Sequence, residues 1–130
     1  MPTGPSVQRS AGSVDLSVCV PVYKRHEPPN LATLAETLPR ALDGLTGELV
    51  VALNGVTVEE AGAPTDARTV DLDVNRGVSV GWNRAAAIAR GEILCFSNDD
   101  VVLGAGSLRL LADVLRRRAE AGVVGPVGKR

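Results

Sequence analysis

The chain has 130 residues, of which 45% are apolar and 2% aromatic, and its formal net charge is −1. That length fits one domain able to bury about two-thirds of its unfolded surface, while the near-neutral balance offers no basic, aromatic-studded surface for nucleic acid. No apolar run approaches the ~20 residues of a membrane-crossing helix, and the two cysteines, Cys19 and Cys95, are too far apart for a close-spaced zinc site or redox pair.

Residues 1–14 are rich in Pro, Gly and Ser and lack the basic start and apolar stretch of a signal peptide, which predicts a flexible tail ahead of one domain over residues 15–130. A cytoplasmic location with two buried, reduced thiols follows as the expectation. The excess of arginine over lysine, with abundant Ala, Gly and Val, suits a GC-rich bacterial genome. The run Asp15-Leu-Ser-Val-Cys-Val-Pro-Val-Tyr23 reads as a first, buried strand, with Pro21 where the chain leaves the sheet. Leu31, Leu34, Leu38, Leu42 and Leu45 then recur at three- and four-residue steps, predicting a helix over 30–45 with one apolar stripe and a break in its bonding at Pro39.

Glu48 to Asn54 is a second buried strand, stopped by Asn54-Gly55. Residues 56–68 read as a loop. Val70, Leu72 and Val74 alternate with Asp71 and Asp73 in a half-exposed third strand, and Asn75-Arg-Gly77 stops it. Ser79 is placed to cap a helix running to Arg90, with Ala85, Ala86, Ile88 and Ala89 on its buried side. A fourth strand, Ile93 to Phe96, ends in Ser97-Asn-Asp-Asp100. A helix over 107–121 carries Leu108, Leu111 and Leu115 on one face and Arg116 to Arg118 at its dipole-favoured end, and Gly122 to Gly128 reads as a last strand.

Strands alternating with helices predict an α/β fold of three layers, α/β/α, around a mainly parallel sheet. Ligands of such sheets gather beyond the carboxyl ends of the strands. Residues 23–25, 54–55, 75–77 and 98–100 all follow strand ends and should share one rim. Two adjacent carboxylates there are hard oxygen ligands suited to a divalent cation; by their type alone they equally suit a solvated turn.

Three stretches, Val18-Cys-Val-Pro-Val-Tyr-Lys-Arg25, the run from Asn75 to Asp100, and Gly122-Val-Val-Gly-Pro126, together resemble family 2 glycosyltransferases of the GT-A fold. The resemblance spans roughly Leu16 to Gly128 and corresponds to that family's Rossmann-like nucleotide-binding half. It implies a nucleotide-diphosphate sugar as ligand, with Pro21 and Tyr23 beside the base, Arg25 near the phosphates, and Asn83 shaping the donor pocket. It also implies Mg²⁺ or Mn²⁺ on Asp99 and Asp100, and an inverting transfer to an unknown acceptor.

The pattern departs from the family in places. The acidic residue usual after the second strand is replaced by an apolar one, leaving Asn54 as the polar candidate, and Ser97 stands where the metal motif commonly opens with Asp or Asn. Relatives continue for about another domain-sized segment that holds the acceptor site and general base. The chain is therefore expected to be a truncated transferase or, alternatively, a non-catalytic donor-binding module, with a second copy or a complementary transferase subunit as possible partner.

Other motifs carry less. Asp71-Leu-Asp73 has metal-motif spacing but sits in strand alternation, on an exposed face. Gly104-Ala-Gly106 before a helix starts a dinucleotide fingerprint that Arg109 breaks at the third glycine. His26, beside Glu27 and two prolines, reads as a loop residue.

Overall fold

The computed structural model describes residues 12–118 and 120–126. Four strands, β1 (Val14–Val22), β2 (Gly47–Asn54), β3 (Arg68–Leu72) and β4 (Gly91–Phe96), alternate with helices α1 (Asn30–Leu42), α2 (Val58–Ala61), α3 (Val78–Ile88) and α4 (Ser107–Arg117). The sheet order is β3-β2-β1-β4 and every pairing is parallel. Each connection between paired strands must then cross over a face of the sheet, and the helices serve that purpose.

The period-two pattern sorts the strands onto two faces. Leu16, Val18, Val20 and Val22 of β1 join Leu49, Val51 and Leu53 of β2 under Leu31, Leu34, Leu38, Ala41 and Leu42 of α1 and Leu108 of α4. On the opposite face Cys19, Val50, Ala52 and Leu72 meet Ala85 of α3, with Val80, Ile88 and Ala89 packed beside them. The molecule is thus a three-layer α/β/α fold, with β1 and β2 buried on both sides. β4 is an edge strand: Ile93 and Cys95 pack toward the α1 face, while Leu94 and Phe96 on the other side are 39% and 49% exposed. Cys19 is buried as expected, and Cys95 is only half-buried. No described helix is long and apolar enough to cross a membrane.

Several boundaries differ from the sequence reading, each for a physical reason. The first strand begins at Val14, inside the stretch expected to be tail. α1 stops at Leu42 because Asp43 turns left-handed and returns its N–H to the Pro39 carbonyl. The stretch expected as a loop contains α2, whose start is a capping box: Thr57 Oγ1 accepts from Glu60 N–H, and the Glu60 carboxylate accepts from Thr57 N–H, both at 3.1 Å. Thr57→Ala should cost about 1 kcal/mol in urea unfolding.

β3 starts at Arg68 and stops at Leu72, so Val74 is 57% exposed rather than paired. α3 starts at Val78 from Gly77, not from a Ser79 cap, and ends at Ile88. α4 ends at Arg117, four residues short of the expected end. Residues 122–126 form no strand. Residues 127 and 128, the rest of the expected last strand, and residues 1–11 of the expected tail lie outside the described residues.

Candidate functional site

The strand register places the candidate residues along one edge. Val22 at the end of β1 lies opposite Leu53 of β2, and Asn54 lies opposite Leu72 of β3. On the other side Cys19 lies opposite Phe96, and the chain continues beside β1 with Ser97 N–H donating to the Cys19 carbonyl at 3.1 Å. The carboxyl rim therefore runs from residue 73 through Asn54 and Tyr23 to the turn 97–100. Neighbouring strands are about 4.8 Å apart, so Asn54 and the acidic turn are separated by two steps, about 10 Å.

The individual residues differ in how they meet this rim. Tyr23 follows β1 directly and is 56% exposed, so its aromatic face is open at the rim. Arg25 is exposed and pairs with Glu27 at 3.4 Å. Pro21 is buried, and a Cβ at Gly81 of α3 would sit 2.8 Å from its own Cβ, so the proline serves as the floor on which α3 rests. Asn54 is 1% exposed. Its Nδ2 donates to the Gly77 carbonyl at 2.9 Å and its Oδ1 accepts from Arg76 N–H at 2.8 Å, so both halves of the amide are engaged within the fold. Asn83 is exposed on α3. It lies two residues beyond Gly81, about 200° around the helix, and so turns away from the sheet that Gly81 touches.

Asp99 is half-buried and Asp100 exposed. Burial pushes the Asp99 carboxyl above its ordinary range, and the Asp100 charge adds to this; a nearby His26 and a hydrogen bond from the Asn30 side chain pull the other way. The acidic turn is held from two sides. Trp82 Nε1 of α3 donates to the Ser97 carbonyl at 3.1 Å, and its ring tilts against Phe96 with centroids 5.8 Å apart. Beyond the turn, Leu103 N–H donates to Thr37 Oγ1 of α1 at 3.1 Å. The sequence reading missed His26, Asn30, Trp82 and Thr37 as neighbours of this turn; the lone Trp in the chain was the one local signal.

No group of three or more His, Cys, Asp or Glu side chains among the described residues could hold a metal ion by itself. The pair fits a different mode of binding. A half-buried carboxylate beside a like charge gains from a cation, and Mg²⁺ is commonly held by one or two carboxylates with substrate phosphates and water completing its shell. Asp71, by contrast, is exposed, and with Asp73, Glu59 and Glu60 it lines an open concavity of about 470 Å³ beyond β2 and β3.

No curated protein sequence matches the chain. Among solved structures it is similar to S. aureus TarS, residues 1–349, with a TM-score of 0.62 and 22% identity. The match covers 79% of this chain and 32% of that one, so it speaks for the fold, and the chain spans about a third of the longer structure. The model of glycosyl transferase family 2 matches residues 17–130, a range that opens inside β1 and takes in every later element of the sheet and its helices. The chain belongs to glycosyl transferase family 2.

Proposed function

We propose that the carboxyl rim binds the diphosphate of a nucleotide-sugar donor with Mg²⁺ or Mn²⁺, in the service of an inverting glycosyl transfer. Family membership points to glycosyl transfer in general. The observation that carries the finer reading is the half-buried Asp99, paired with Asp100 on the turn beside the exposed Tyr23. Tyr23 offers a stacking surface to the base, and Asp99 and Asp100 would hold the cation. When bound, that cation neutralises the leaving diphosphate as a Lewis acid. The chain's own contribution is placement: Trp82 and Thr37 fix the segment on either side of the turn, so its carboxylates meet the donor without first having to be ordered.

The test is calorimetric titration with ADP, CDP, GDP, UDP and dTDP, each with and without Mn²⁺. At least one should bind in a Mn²⁺-dependent manner. Asp99→Asn should weaken that binding about 10- to 100-fold, through the loss of one charged oxygen ligand, and Asp71→Asn should change it less than twofold. Equal effects of the two substitutions, or binding indifferent to the cation, would remove Asp99 from the role.

A further inference from the structure

We infer that Asn54 is a positioning residue and that the group it positions, Arg76, is a further binding residue for the anionic diphosphate; this rests on the donor-site reading above. A strand-end asparagine on a ligand rim reads as a group that touches ligand. Here its amide is spent on the backbone of two residues, Arg76 and Gly77, and a second asparagine adds a bond to the same turn. Asn54 Oδ1 takes the Arg76 N–H at 2.8 Å and Nδ2 reaches the Gly77 carbonyl at 2.9 Å, while Asn75 Oδ1 takes the Gly77 N–H at 2.9 Å. The turn is pressed against the sheet as well: a Cβ at Gly55 would come within 2.9 Å of Asn75 N. Gly77 itself sits at φ 90 and ψ 168, a conformation almost confined to glycine.

All this order is built into a turn whose own side chains are exposed. Sequestering a polar amide at the end of a central strand is costly unless every bond is made. Here it is invested in the shape of a surface loop, the arrangement expected of a support for a binding group rather than for a core. The group presented is a guanidinium. Among the described residues Arg76 has no ion-pair partner, whereas Arg25, the cation nearest in sequence to Tyr23 after Lys24, is already paired with Glu27. Its turn is anchored on the end of β2, one strand from β1 and two from the acidic turn. Arg76 and the carboxylate-held cation would then approach the diphosphate from either side of the β1 end, and a guanidinium is the side chain best matched to phosphate oxygens.

The experiment is titration of the tightest-binding nucleoside diphosphate with Mn²⁺ against the wild type, Arg76→Ala, Asn54→Asp and the double variant, with melting temperatures recorded for each. Asn54→Asp keeps an acceptor for the Arg76 N–H and loses the donor to Gly77, so the turn is loosened in a side chain of unchanged size. Arg76→Ala should weaken binding about 10-fold, flatten its salt dependence and leave the melting temperature unchanged. Asn54→Asp should weaken binding in the wild type and add little once Arg76 is gone. Unchanged affinity in Arg76→Ala, or an Asn54→Asp loss of the same factor in both backgrounds, overturns the inference while Asp99 and its cation stand. A wild type that binds none of the nucleotides removes the donor site beneath it.

Discussion

Replacing Glu48 by alanine should lower the unfolding free energy by about 3 kcal/mol and the melting temperature by roughly 10 °C. Glu48 is 8% exposed on β2, at the amino end of the sheet and opposite the candidate site. Its Oε2 accepts from the Ser17 hydroxyl of β1 and from Arg90 N–H, both at 2.6 Å, and its Oε1 accepts from Arg90 Nε at 3.2 Å. The Arg90 side chain is 45% exposed, so solvent screening takes much of that ion pair's worth. The cost comes from the fully buried Ser17 hydroxyl and the Arg90 N–H, which lose their acceptor.

The same cluster carries a pH signature. Burial alone would raise the Glu48 pKa, but the donors from Ser17 and Arg90 outweigh it and hold the carboxyl below its ordinary value of 4.5. In the acid range the unfolded chain therefore binds the proton more readily than the folded one. The stabilisation is fully present above the ordinary value and is lost as pH falls through the lower folded value. Urea unfolding at pH 7, 5 and 3 should show a steeper acid loss in the wild type than in Glu48→Gln. Parallel pH profiles for the two proteins would show that the cluster does not hold the charge.

What the sequence made legible was whatever local chemistry decides. The leucines from Leu31 to Leu42 repeat at helical steps and all reach the core. Val70 and Leu72 alternate with Asp71, and the pleat points them toward α3 while Asp71 stays exposed. Where distant residues decide, the sequence reading went astray. Ser79 has the right chemistry for a cap, yet α3 begins earlier because Asn54 and Asn75 fix Gly77. Val123 belongs to a β-branched run, but residues 122–126 have no sheet partner among the described residues, and it is 90% exposed.

The candidate site divides in the same way. The strand-end rule brought Tyr23, Asn54 and Asp99 to one rim because a parallel sheet has one carboxyl edge. Residue type could not tell that the Asn54 amide is committed inward, nor that His26 and Asn30 from the first connection stand beside Asp99. Both facts come from contacts more than twenty residues apart in sequence, which no local pattern encodes.

Gly91→Ala should be more disruptive than its one added carbon suggests. Gly91 opens β4 where it pairs with Val14, and its N–H donates to Ser17 Oγ at 2.8 Å. A Cβ at this position would overlap the Ser17 backbone nitrogen and lie 2.6 Å from Ser17 Oγ and 2.8 Å from the Ile93 carbonyl. The Ser17 nitrogen is backbone of β1 and the Ile93 carbonyl is backbone of β4 itself, so no side-chain rotation relieves the clash: β4 must move away from β1 and also distort at its start. Overpacking of this kind typically costs 1–3 kcal/mol, and loss of the Gly91–Ser17 hydrogen bond brings the expected total to about 4 kcal/mol. Gly122→Ala, where an added Cβ meets nothing within 4 Å, should leave stability unchanged. Because β1 leads to Tyr23 and β4 leads to the acidic turn, displacement of one strand against the other changes the spacing across the rim. Under conditions where Gly91→Ala remains folded, its Mn²⁺-dependent nucleotide affinity should therefore fall at least fivefold, an estimate based on the sensitivity of oriented groups to ångström-scale misplacement. Wild-type affinity in a folded Gly91→Ala would mean that the proposed donor site tolerates the shift, and that the spacing of β1 and β4 does not set its geometry.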